Sequence, residues 1–255
     1  MSLPPSEVPQ GAIRFNTDSQ RLEFYAQGEW WIMSTDTPNL ASAGDSTPGA
    51  RGFAFGCVAP TYNNYYINIA STGNAIDFGN FASNRYFCSA TSDRTRAVVD
   101  SGEGGMTTKE FFTMASGGGG TTFGNNTYHP SNGHRSACAI SNGKRAVFAG
   151  GNDFSTYGFD NIEYVTIQST GNAVDFGDLY DGTSLAAAGN SPTRGIIYAG
   201  NGGPAVLDII QYITTSTLGK SADFGNASSA GYGGGGLSNA TRMIVGGLIV
   251  SGYGN

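Results

Sequence analysis

Charge is scarce in this chain, histidine and cysteine are scarcer, and long apolar runs are missing. Only 13% of its 255 residues are charged, with a formal net charge of −6. Lys and Arg nowhere cluster, which argues against nucleic acid as a partner, because phosphate binding needs a concentrated basic surface. No apolar stretch has transmembrane length, and "MSLPPSEVPQ" lacks the basic start and apolar core of a secretory signal. The expectation is a protein made in a cytoplasm and not inserted into a membrane. Three cysteines, Cys57, Cys88 and Cys138, without C-x-x-C spacing, suggest neither a disulfide framework nor a zinc site and are expected to be small buried apolar residues. His129 and His134 fall in "HPSNGH", expected to be a solvated loop without further metal ligands nearby.

The vocabulary of catalysis is equally thin. The chain has no G-x-S-x-G elbow, and "GGMTTK" and "SNGKR" hold phosphate-loop fragments at the wrong spacing. The 19 acidic residues are scattered through turns, so no carboxylate pair stands out. No catalytic, cofactor-binding or metal-binding residue is therefore assigned, and no cofactor is expected. Apolar spacing of three and four residues is absent too, which predicts almost no helix.

What the chain has instead is glycine, 40 residues of it, and one phrase in several copies. "STGNAIDFG" (71–79) returns as "STGNAVDFG" (169–177), as "TLGKSADFG" (217–225) and, more loosely, as "SGGGGTTFG" (116–124). Its aromatic falls at Phe78, Phe123, Phe176 and Phe224, and twelve residues before each stands another, Tyr66, Phe111, Tyr164 or Tyr212. The upstream aromatic sits in alternating segments such as "EYVTIQS", which mark a strand; glycines then turn the chain, so each phrase predicts a hairpin. Asp77, Asp175 and Asp223 are expected to satisfy turn or strand-edge amides, or to pair with the repeated basic residues. The kinase reading of "DFG" fails for want of a phosphate loop or catalytic loop.

A second landmark, Arg51, Arg96, Lys144, Arg194 and Arg242, opens another apolar strand, and a strand of small residues precedes it. The result is four strands in each unit of about 48 residues, the period of propeller blades. At this point the residues resemble the kelch repeat, with Phe where its Trp usually stands. More closely, "TIQSTGNAVDFGDL" and "SPTRGIIYAG", together with "GAIRFNTDSQRLEFYAQGEWW" near the N-terminus, are similar to virion structural proteins of tailed bacteriophages, cyanophages in particular. That resemblance implies a non-enzymatic virion protein, made in the host cytoplasm. It would be a tail- or baseplate-associated appendage acting in particle assembly or host attachment, with other virion proteins as partners and several copies per particle. Three alternatives stand beside it: a capsid decoration protein, a carbohydrate-binding receptor module stacking a host surface glycan on Tyr128, Tyr157 and Tyr180, and a glycan-degrading enzyme.

Five basic landmarks face only four "FG" strands, and too few residues follow Arg242 to finish a blade. "RLEFYAQGEWWIMS" offers two strands around a tight turn. The expected fold is thus all-β, a five-bladed kelch-like propeller over 37–255, with the hairpin of an N-terminal arm (1–36) closing the last blade or, alternatively, docking on a neighbour. Trp30 and Trp31, adjacent on a strand, must face opposite sides. With Phe154, Tyr157 and Phe159 of the variable "GNDFSTYGFDN" segment, they are the candidate protein contacts.

Overall fold

The computed structural model describes residues 8–17, 21–33, 51–56, 63–83, 85–103, 107–128, 134–153 and 155–250. Cys57, His129, Phe154 and the small-residue strand expected at "LASAG" lie outside them. The chain divides into two compact units, Met1–Ser42 and Ala43–Asn255. Among the described residues every regular element is a strand, and every strand pairing is antiparallel.

In the smaller unit β1 (Ile13–Asn16), β2 (Arg21–Ala26) and β3 (Glu29–Ile32) form one sheet with β2 in the middle. Gln27 and Gly28 join β2 to β3 with φ of 54° and 87°, the double positive-φ turn that matches strand twist in a two-residue hairpin. The expected hairpin is therefore present, but β1 is an addition. Because β1 occupies one edge of β2 and β3 the other, only the outer edges of β1 and β3 remain for any further strand.

The larger unit repeats an up-and-down meander. β4 (Arg51–Ala54), β5 (Asn63–Asn68) and β6 (Ile76–Asn80) make a three-stranded sheet. Three four-stranded sheets follow: β7 (Ala90–Ser92), β8 (Arg96–Val99), β9 (Thr108–Thr113) and β10 (Thr121–Asn125); β11 (Cys138–Ser141), β12 (Arg145–Ala149), β13 (Asn161–Thr166) and β14 (Val174–Asp178); and β15 (Ala187–Asn190), β16 (Arg194–Asn201), β17 (Val206–Thr214) and β18 (Ala222–Asn226). The last stretch forms only pairs, β19 (Gly231–Tyr232) with β22 (Ile249–Val250) and β20 (Gly235–Ser238) with β21 (Met243–Gly246).

Local chemistry explains why these sheets look alike. Before each second strand, Asp93, Asn142, Ser191 or Asn239 turns its side-chain oxygen onto the amide of the arginine three residues on, at 2.8–3.0 Å. This turn corrects the third landmark, which is Arg145 and not Lys144: Arg145 takes that amide position and opens β12, while Lys144 stays in the turn. The aromatics twelve apart meet across the third and fourth strands as T-shaped pairs, Tyr66–Phe78, Phe111–Phe123, Tyr164–Phe176 and Tyr212–Phe224, with centroids 6.0–6.2 Å apart. Opposite each pair the register slips by one residue, and in the three "DFG" copies the aspartate accepts the glycine amide at 2.8–3.0 Å. The aspartates thus satisfy amides within their own strands, at the slip in register, and not amides of the preceding turn.

The core lies between sheets. Val98 and Phe123 pack on Ala146, Val165 and Ile167 of the next sheet; Ile140, Val147 and Phe176 pack on Ile197 and Ile213 of the one after. Near the first strands runs a second connection. Phe87, Ser136 and Leu185 stand one repeat apart with φ of 53–56°, and Gly233 follows at 76°. Ser136 N–H donates to Phe87 O, Leu185 N–H to Ser136 O and Gly233 N–H to Leu185 O, at 2.8–3.0 Å. Left-handed backbone costs a non-glycine residue about 1–2 kcal/mol, so three such residues at one repeat position mark a conformation held in place by this chain of bonds.

Candidate functional site

The joints between successive sheets answer why the phrase repeats. The glycine of the turn donates its N–H to the carbonyl of the previous sheet's "FG" aromatic: Gly118 to Phe78, Gly171 to Phe123 and Gly219 to Phe176, at 2.7–2.9 Å. Two residues on, Gly120, Ala173 and Ser221 donate to Asn80, Asn125 and Asp178 at 2.8 Å. The turn docks so closely that a Cβ on Gly79, Gly124 or Gly177 would meet the opposing glycine oxygen at 1.9–2.5 Å. One half of the phrase is a plug, the other half the socket of the preceding sheet.

The landmark arginines bolt the same joints. Arg51, Arg96, Arg145 and Arg194 lie over Tyr66, Phe111, Tyr164 and Tyr212, 4.2–4.7 Å from the ring centroid. Three of them reach carbonyls of the following sheet: Arg51 to Met114 O at 2.9 Å, Arg96 to Ile167 O at 3.0 Å, and Arg145 to Thr215 O and Ser216 O at 3.3 and 3.1 Å.

One joint holds a buried charge cluster. Lys109 on β9, fully buried, donates to Asp100 at 2.6 Å, to Glu163 of β13 at 2.5 Å and to Asn126 at 2.9 Å. His134 Nδ1 lies 2.9 Å from Asp100, and its Nε2 contacts the carbonyl of Gly150. A carbonyl only accepts, so Nε2 carries a proton; the carboxylate opposite Nδ1 selects the doubly protonated imidazolium. Burial alone pulls His134 down, but the charge of Asp100 and its hydrogen bond outweigh it and hold the imidazole above its ordinary pKa. Burial likewise pushes Asp100 up, and Lys109 and His134 override it, leaving the carboxyl well below the usual carboxylate range. His134 is therefore no solvated loop residue, a correction to the sequence reading: its partners lie 34 positions before it at Asp100 and 29 after it at Glu163. Asp100, His134 and Glu163 would offer three metal-ligand atoms within 4.8 Å of one another, but the Lys109 ammonium already pairs with both carboxylates.

Glu163 belongs to a set that sequence reasoning missed. Glu110, Glu163 and Gln211, each directly before the third-strand aromatic, accept the amides of Ala82, Thr127 and Asp181 on the connection toward the next sheet. The signal was present in "EFF", "EYV" and "QYI". Cys138 is buried, and that burial pushes its thiol up to about 12. Cys88 is half-buried.

The candidate contacts separate. Trp30 and Trp31 do face opposite sides of β3. Trp30 is half-buried, with Arg14 4.1 Å above its ring and Tyr25 5.2 Å away, while Trp31 is exposed. On the Trp31 side the register gathers Ile13, Phe15, Leu22 and Phe24, giving the small sheet one apolar face that is largely open. Of the variable segment, Tyr157 is exposed, but Phe159 is buried, its ring stacked 6.1 Å from His134, and so it belongs to the interior instead of a contact surface. Tyr180 is exposed beneath Lys220, and Tyr128 is half-buried, its hydroxyl pKa raised first by burial and then by a hydrogen bond to Asp175. A cleft of about 190 Å³ lined by Phe87, Ser136, Leu185 and Gly233 lies along the first strands, below the ~300–1,000 Å³ usual for ligand pockets. Compared with known proteins, the chain matches no family model and no curated sequence.

Proposed function

We propose that this chain is a non-enzymatic structural protein of a tailed-bacteriophage particle, a tail- or baseplate-associated appendage serving assembly or host attachment. Its larger unit is a series of five kelch-like propeller blades, the fifth incomplete, and its N-terminal sheet is the arm that docks on another virion protein. The observation that carries the reading is the contrast between the units. In the larger one the convergent charges are sealed inside joints, where Lys109, Asp100 and Glu163 neutralise one another out of reach of a substrate. In the smaller one Ile13, Phe15 and Trp31 stand exposed on one face, the arrangement of a contact surface. The resemblance of the repeat and of the N-terminal phrase to phage virion proteins supplies the setting.

Antibody to the chain should label one end of purified tailed particles of the virus that encodes it, and Trp31→Glu should reduce its incorporation while leaving the larger unit folded. Infectious particles free of the chain would overturn the proposal. Release of reducing sugar from host envelope polysaccharide by the purified protein would favour the glycan-degrading alternative.

A further inference from the structure

One joint in the larger unit shows a projecting side and a receiving side. Between the β11–β14 and β15–β18 sheets, Ile140 and Val147 project while Gly195 and Ile213 receive, and a Cβ on Gly195 would lie 2.7 Å from the Ile140 side chain. The absence of a side chain at Gly195 is thus the hole that Ile140 fills. Ile140, Val147 and Ile213 are all buried.

The two end sheets each keep one such side unmated. Leu237 and Ile244 pair across β20 and β21 as Ile140 and Val147 do across β11 and β12, yet they are 77% and 72% exposed. Gly52 pairs with Ile67 across β4 and β5 as Gly195 does with Ile213, but Ile67 and its neighbour Ile69 are 46% and 61% exposed. The nearest atoms to a Cβ on Gly52 belong to Ile67 and Ile69 of its own sheet. So the last sheet carries a knob without a hole and the first a hole without a knob.

We infer that these sides mate between copies of the chain, with β20–β21 of one molecule on β4–β5 of the next. Leu237 seats on Gly52, Ile244 lies against Ile67, and Arg242 reaches the carbonyl of Ile69, as Arg145 reaches Thr215 inside the chain. A second copy is the occupant because the joint continues one already built within the molecule, and because the two unmated halves belong to the same joint type. The centre of each face, Leu237 with Ile244 and Gly52 with Ile67, is apolar, and the one cation brought to it, Arg242, is given a carbonyl as the landmark arginines are within the chain. The contact is head-to-tail, and copies joined this way form a closed ring or an open filament according to the rotation per step. The inference stands independently of the particle assignment.

The test is sedimentation velocity on the full chain over a wide concentration range, with Leu237→Asp and Gly52→Arg made separately. Both substitutions fall at unmated surfaces, so melting temperatures should match the parent. The parent chain should grow in size with concentration, and each variant alone should remain a monomer. An equimolar mixture should give two-chain species and nothing larger, since each variant retains the half that the other lacks. A parent chain that stays monomeric throughout, or a variant that assembles like the parent, would overturn the inference; if the former came with lowered variant melting temperatures, the faces would be mated within one molecule.

Discussion

Phe176 and Phe224 occupy the same place in the repeat, in the same T-shaped pair with a third-strand tyrosine, yet Phe176 is 3% exposed and Phe224 is 55% exposed. The difference is the next sheet: Ile197 and Ile213 cover Phe176, whereas the sheet after Phe224 consists only of strand pairs. Truncating a buried Phe to Ala loses its transfer free energy and leaves a cavity, about 3–5 kcal/mol. Truncating one already half in water loses roughly half of the ~1.5–3 kcal/mol of full burial and leaves no enclosed void, so about 1 kcal/mol. Urea denaturation monitored by tyrosine fluorescence should therefore place the Phe176→Ala midpoint about 1–2 M below the parent, with a slope near ~2.5 kcal/mol/M. The Phe224→Ala midpoint should fall by less than about 0.5 M on the same scale. Equal losses at the two positions would refute the reasoning that a following sheet, and not the local pair, gives the aromatic its weight.

Three further outcomes follow from the joints. Lys109→Met removes the cation between two buried carboxylates and should cost about 3–5 kcal/mol in the same assay; Asp100→Ala with Lys109→Ile, which copies Ala149 and Ile162 of the next sheet, should recover part of the loss. His134 has a raised pKa in the folded protein, so its contribution is complete below about 6.5 and is lost as pH rises through the folded value. Asp100 is depressed, so its share is present above about 3.9 and is lost in stronger acid. Thermal unfolding against pH should show the alkaline decline in the parent and a weaker one in His134→Gln. Gly177→Ala, at φ +136° with its Cβ 2.5 Å from Gly219 O, should be destabilised both by added backbone strain and by unseating of the turn, whereas Gly225→Ala, at φ +139° in open space, should suffer only the strain, and calorimetry should rank them so.

Much of the larger unit was legible because a repeat shows its spacing four or five times over. The strict twelve-residue gap between aromatics became a cross-strand pair, and the spacing of the basic landmarks found the second strands, although only the turn made by Asn142 shows that Arg145 and not Lys144 opens β12. What recurs once is hard to see. Asp100 and Lys109 stand where the next sheet has Ala149 and Ile162, and they meet His134 and Glu163 only after three strands have paired, so no local spacing announces the cluster. β1 escaped for another reason: "IRFN" is four residues long, and only its pairing with β2 makes it a strand. Phe159 was misjudged because a variable segment was taken as surface throughout, while Gly151 accepts the Phe159 amide and draws that residue back inside.

The left-handed residues Phe87, Ser136, Leu185 and Gly233 give the larger unit a direction. At every step the donor belongs to the later sheet and the acceptor to the earlier one. The donor–acceptor order never reverses, so the row is a vector and not a symmetrical seam. A molecule with such a vector cannot be turned end for end against its own kind and present the same surface. Addition to one end is chemically different from addition to the other, and a series of these units, whether within one chain or continued by more, has an inherent order of growth.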